Sequence, residues 1–190
     1  MQLFSHFKPN CITSKIFFEN FCRTPSFAPL TQLFLHEKAK SQAEPVIYLT
    51  RQEYVHIRNL AWDLLIDAKI SELPVDVNRI AGLYNIEYNH DADFYDKALE
   101  VSEGILRVFG YKTEPEYVEA LTVRLLAPSI VLKQIDVKSA GEITEKTGLP
   151  IDIAQSRFER YKVLVERNRF GLSKMEMRVL NQFMRYVSNR

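Results

Sequence analysis

The stretch E-P-E-Y-V-E-A-L-T-V-R-L-L-A-P-S, Glu114 to Ser129, predicts one amphipathic helix with both of its ends marked. Thr113 followed three residues later by Glu116 has the spacing of a capping box, in which hydroxyl and carboxylate each satisfy an orphan backbone N–H. Pro115 falls in the first turn, where a missing donor costs little. Tyr117, Val118, Leu121, Leu125 and Leu126 recur at helical spacing, and Pro128 stops the run. A helix with one apolar stripe has to bury that stripe against other elements, so the segments on either side are expected to supply matching faces.

Upstream, Thr50 and Glu53 form a second capping box, opening a helix from Arg51 to about Ala68. Ile57, Leu60, Ala61, Leu64, Leu65 and Ala68 line one face of it. Pro74 suits the first turn of a following helix carrying Val77, Ile80 and Ala81, with Gly82 near its end. Asn85–Asn89, with Ile86 and Tyr88 alternating, predicts a short strand. Asp91 or Asp93 then caps a helix running to Phe109, stopped by Gly110. Phe94, Ala98, Val101, Ile105 and Val108 share one face of that helix.

Downstream, Ser129–Ile135 allows another turn or two. Ser139 and Glu142 are spaced as a capping box for a short helix, with Ile143 apolar and Gly148 as its stop. After Leu149-Pro150 a longer helix carries Ile153, Ala154, Phe158, Tyr161 and Leu164 or Val165. Residues 139–167 therefore have the outline of a helix-turn-helix pair. Ser173 and Glu176 open a last helix, with Leu180, Phe183, Met184 and Val187 as its buried stripe. Met175 and Met177 in its first turn serve as adaptable packing.

The chain has 190 residues, 46% of them hydrophobic, enough for one domain with a sizeable core. Residues 1–45 read differently. They hold seven of the twelve Phe, are interrupted by Pro9, Pro25, Pro29 and Pro45, and show no sustained period beyond a possible short helix around Ile16–Phe21. This segment is expected to be an extension, with the domain proper spanning 46–190. Net charge is +1, but unevenly spread. Residues 46–123 carry seven Lys and Arg against fourteen Asp and Glu, whereas residues 124–190 carry thirteen against seven. The basic C-terminal third suits either solvated helix faces or an anionic partner. Both cysteines, Cys11 and Cys22, lie in the extension and make neither a disulfide framework nor a zinc knuckle, so a reducing cytoplasm is the expected setting. No apolar run approaches the ~20 residues of a spanning helix, so no membrane partner is expected.

The acidic helix start leading into V-R-L-L-A-P resembles the ImmA/IrrE family of zinc metallopeptidases. So does the segment L-P-V-D-V-N-R-I-A-G-L-Y-N-I-E-Y, and so do A-Q-S-R-F-E-R-Y and E-R-N-R-F toward the C-terminus. The resemblance implies a mainly α-helical domain, a truncated zincin-like fold with at most one or two short strands. It also implies a metal helix, H-E-x-x-H, ahead of the organising helix, and a third ligand from a Glu near the start of the latter. A zincin needs two His one helical turn apart and a Glu to activate the metal-bound water. This chain has no such motif; its four His are His6, His36, His56 and His90, none at i, i+4 from another. Aligned on its glycine, V-S-E-G-I-L-R-V-F-G puts Val101 and Ile105 where the resemblance implies His ligands and Ser102 where it implies the catalytic Glu. Glu116, or else Glu119, falls at the third-ligand place. Zinc, the cofactor the resemblance implies, is therefore not expected here, and neither is family-type peptidase activity.

Other enzyme classes lack their signatures. There is no G-x-S-x-G, no phosphate-cradling glycine loop, and no His placed to activate a cysteine. The carboxylates of 87–103 suit a solvated acidic face or a weak cation site. Arg157, Arg160 and Lys162 on the second helix of the 139–167 pair are the candidates for contact with DNA or a protein partner. Family members are commonly encoded beside phage or mobile-element repressors. Three functions follow: a non-catalytic protein binding a repressor-type transcription factor, or a decayed remnant of one; a DNA-binding regulator; or a hydrolase with a relocated metal. Deleting residues 1–45 is expected to leave a cooperative thermal transition, since the capping box at Thr50 opens the domain. A truncated chain that melts without cooperativity would contradict that boundary.

Overall fold

The computed structural model describes residues 49–170 and 173–189, all within one compact unit, Ala43–Arg190. The segment 1–45, read as an extension, with its two cysteines and the stretch Ile16–Phe21, lies outside the described residues. Among those described there are eight helices and no strand, a mainly α fold. In chain order they are α1 (Arg51–Asp67), α2 (Val77–Tyr84), α3 (Phe94–Val108), α4 (Pro115–Leu126), α5 (Ser129–Gln134), α6 (Ala140–Thr147), α7 (Ile151–Glu166) and α8 (Lys174–Ser188).

The helix that organises the sequence also organises the packing. α4 lies against both α1 and α3, α1 also packs on α8, and α2 packs on α3. All five apolar residues of the α4 stripe are buried, and Leu121, Leu125 and Leu126 are completely so. They meet Ile57, Leu64 and Leu65 of α1, Val101 and Ile105 of α3, and Phe183 of α8 in one continuous core. Each fully buried leucine of this kind contributes about 1.5–3 kcal/mol of transfer free energy.

Several local expectations shift by a residue or more. The start of α4 has Pro115 at its first helical position, which fixes Glu114 as the N-cap, and no side chain caps it. The proline's locked φ sets the register, so the Thr113–Glu116 box does not form. Pro74 lies ahead of α2, which Asp76 caps by accepting from the Arg79 N–H at 3.1 Å. Asn85, with φ of 52°, ends α2 in place of Gly82. Ser139 accepts from the Glu142 N–H, but the Glu142 carboxylate accepts from the Lys138 N–H, giving half a box. Asp93 is the N-cap of α3 by backbone only.

The strand expected over 85–89 is an extended segment with no partner strand among the described residues. Ile86 packs onto Gly104 of α3, where a β-carbon would collide with its side chain. Asn89 N–H donates to Glu100 at 2.6 Å, and Tyr88 Oη donates to Asn78 at 2.7 Å. Its backbone is thus anchored to a helix, not to a ladder. Of the stripe on α3, Ala98, Val101 and Ile105 are fully buried, whereas Val108 is 58% exposed and Phe94 lies over the turn at Gly148. Gly148 is required there twice over, by its φ of +72° and by the Phe94 ring 2.7 Å from where a β-carbon would stand. On α8, Met184 is exposed and Val179 takes the buried place. No helix is long and apolar enough to cross a membrane among the described residues.

The boxes at Thr50 and Ser173 form as expected. The first is tied into the core's edge. Glu53 accepts from the Thr50 N–H at 2.8 Å, from Lys112 Nζ at 3.2 Å and from Tyr117 Oη of α4. The Tyr117 hydroxyl, then the Thr50 donors, hold the Glu53 carboxyl down at about 2. A carboxylate whose folded pKa is depressed stabilises the fold above its unfolded value and loses that contribution as pH falls through the folded one. Glu53→Gln is therefore expected to lower the melting temperature at neutral pH, with the gap to wild type closing between about pH 4.5 and 2. A gap constant across that window would show that ionisation of Glu53 contributes nothing.

Candidate functional site

α3 and α4 hold the residues at the metal-site positions of the ImmA/IrrE resemblance. Val101 and Ile105 are completely buried among apolar neighbours, and Ser102 is buried with a hydroxyl that has no hydrogen-bond partner. Neither Val nor Ile offers a lone pair to a metal, so these residues do not fit zinc. Glu116 is half-buried, with one carboxylate oxygen enclosed and unpartnered; Glu119 is exposed. Among the described residues no three His, Cys, Asp or Glu side chains converge as a metal set. The acidic segment 87–103 is dispersed likewise, Glu100 accepting from the Asn89 N–H and Glu103 pairing with Arg107.

The helix pair divides its three basic candidates. Arg157 is not a surface residue: it is 7% exposed, and its guanidinium points at the corner between α4 and α5. Its Nε donates to the Ala127 carbonyl at 3.0 Å, a terminal nitrogen donates to the same oxygen, and that nitrogen also reaches Ser129 Oγ at 2.8 Å. Ala127 is the C-cap of α4, so Arg157 answers a helix-end carbonyl at the negative end of the dipole. A surface contact for Arg157 is thereby corrected to an internal cap. Lys162 is exposed and pairs with Glu159 at 2.7 Å. Arg160 is exposed yet inclines toward α1, its guanidinium carbon 5.4 Å from the Tyr54 ring centre.

That inclination leads to a site the sequence motifs do not mark. Between α1, the α4–α5 corner and α7 lies a cleft of ≈ 300 Å³. Arg51 and Arg58 of α1, Arg124 of α4, Arg157 and Arg160 of α7, and Arg169 beyond it all line this cleft. Arg124 is 7% exposed, its guanidinium carbon 3.6 Å from the Tyr54 ring centre, and it donates to the Ala120 carbonyl. Arg58 lies over Trp62 at 4.6 Å. Stacking on aromatic faces holds these planar cations in place while leaving N–H edges free.

None of the six arginines forms an ion pair among the described residues. The single carboxylate among the described residues that line the cleft, Glu176, accepts from the Ser173 N–H in the capping box of α8. Burial, then repulsion from Arg124 and Arg160, lowers the Arg157 pKa; burial foremost, with Arg160 and Arg58 adding, lowers that of Arg124. Both remain cations at neutral pH, since arginine starts so high. The cleft therefore gathers positive charge that the described part of the protein does not neutralise.

Arg51, Tyr54, Arg58 and Trp62 were legible as a second stripe on α1, spaced three, four and four beside the apolar one. Arg124 gave no such signal, because an arginine inside an apolar helix run reads as its polar face. Compared with protein-family models, curated proteins and solved structures, the chain matches none.

Arg157→Ala would orphan the Ala127 carbonyl and is expected to cost about 1–3 kcal/mol in urea unfolding. Arg157→Lys is expected to recover little, since lysine lacks the fork that reaches carbonyl and hydroxyl together. Lys162→Ala is expected to stay within about 0.5 kcal/mol. Equal effects at the two positions would contradict the internal cap.

Proposed function

We propose that this protein acts by binding and not by peptide hydrolysis, as a non-catalytic relative of the ImmA/IrrE peptidases whose partner is a repressor-type transcription factor. One observation carries the first half of this reading. The two side chains standing where metal ligands are implied are wholly inside the apolar core, so α3 is a packing helix. The likeness of sequence beyond it supports the second half: V-R-L-L-A-P and A-Q-S-R-F-E-R-Y, both C-terminal to α3 and some 30 residues apart, meet through Arg157 and the Ala127 carbonyl.

Direct DNA reading by α7 has less support. Arg157 faces inward, and Lys162 has a carboxylate partner at 2.7 Å. Only Arg160 of the three remains exposed without one among the described residues.

Metal analysis tests the proposal. Purified protein is expected to carry far less than one zinc per chain, and a chelator to leave its melting temperature unchanged. Replacing Val101 and Ile105 by His and Ser102 by Glu places polar groups in an apolar interior, so a loss of ~1–3 kcal/mol is expected with no gain of peptidase activity. One zinc per wild-type chain, released by Glu116→Gln, would overturn the non-catalytic reading.

A further inference from the structure

We propose that the arginine cleft is a binding site for a phosphate monoester or free phosphate dianion, seated between Arg124, Arg157 and Arg160. Three features of the cleft favour this class of ligand. The first is charge: six guanidiniums line it, and the single carboxylate among its lining residues is held by a backbone N–H. An anion entering there meets donors whose attraction is not already spent on a partner.

The second is preorganisation. Arg157 is fixed by Ala127 and Ser129, while Arg124 is fixed by the Ala120 carbonyl and stacked on Tyr54. A guanidinium has five N–H donors in a rigid fork, and these internal bonds leave several on each arginine. Their side-chain entropy is lost in folding, so binding does not lose it again.

The third is access. The innermost pair, Arg124 and Arg157, are each 7% exposed at the bottom of a cleft of ≈ 300 Å³. That volume sits at the lower end for small-molecule sites. A terminal phosphate can enter such a space. A phosphodiester inside a duplex, flanked by two sugars and backed by base pairs, cannot bring its phosphate down to that buried pair.

The inference does not rest on the peptidase lineage, because zinc content and phosphate affinity are separate measurements. The full chain is titrated by calorimetry with inorganic phosphate, with a nucleoside 5′-monophosphate and with the unphosphorylated nucleoside, at fixed ionic strength. A short DNA duplex is tested as a competitor. Saturable one-to-one binding of the phosphorylated ligands, and none of the nucleoside, is expected. Arg160→Ala, which changes an exposed side chain and leaves the internal cap intact, is expected to weaken binding at least tenfold. Lys146→Ala on α6, a half-buried lysine outside the cleft, is expected to leave it unchanged. A nucleotide more than tenfold tighter than inorganic phosphate identifies an esterified ligand; equal affinity identifies phosphate itself, and either result supports the site. No saturable binding, an equal loss in Lys146→Ala, or duplex binding that phosphate does not compete with would overturn it.

Discussion

The end of α4 depends on a single buried guanidinium. A helix that stops in the interior leaves carbonyl oxygens without intrahelical donors, and water is not there to answer them. Pro128 makes the problem acute, since it ends α4 abruptly and has no N–H to offer. Arg157 comes from the next long helix, 30 residues on, and answers the Ala127 carbonyl and the Ser129 hydroxyl together. That one side chain joins α7 to the corner from which α5 departs, and α5 in turn packs on α8. Arg157 thus ties the helices after the organising one back to its end.

Placing a cation there has an electrostatic cost that the described residues do not repay with a carboxylate. Desolvation penalises Arg157, and Arg124 and Arg160 nearby add repulsion. A neutral donor, such as an asparagine, would satisfy the carbonyl without that penalty. The excess positive charge is therefore not explained by the structural task alone. It is explained if the cleft completes itself with an anion, which converts the same repulsion into binding free energy. Stability and ligand affinity are then linked through the same three side chains.

What the sequence revealed and what it hid differ in physical kind. Helices were readable because 3.6-residue spacing and capping residues act locally, and every helix but the six-residue α5 lies where such signals fall. The boundary at α4 moved because a proline's fixed φ overrides a capping pair one residue away. Alternation at Ile86 and Tyr88 imitates a strand, but a strand exists only with a partner, and here Gly104 of α3 receives the segment instead. Arginine was the hardest residue to read. Its burial at Arg157 depends on a carbonyl in a different helix, and its burial at Arg124 depends on Tyr54 three helices earlier. Neither dependence leaves a mark at short range. The stripe Arg51–Tyr54–Arg58–Trp62 did leave one, hidden by the stronger apolar stripe beside it.

The two carboxylates near the start of α4 give the cleft a direction. Glu116 and Glu119 line a second groove of ≈ 270 Å³, which shares Tyr54, Arg124, Arg157 and Arg160 with the arginine cleft. Arg124 and Arg160 thus border both spaces beside the Tyr54 ring. On one side their positive potential is opposed by two carboxylates on the same helix. On the other it is reinforced by Arg51, Arg58 and Arg169. An anion approaching this surface is attracted less to the glutamate-lined groove than to the arginine cleft, and the low-dielectric walls focus that difference. For the proposed anion site, the two glutamates thus weigh against the groove beside the cleft. By opposing anions on their own side, they bias the attraction of the three shared arginines toward the cleft.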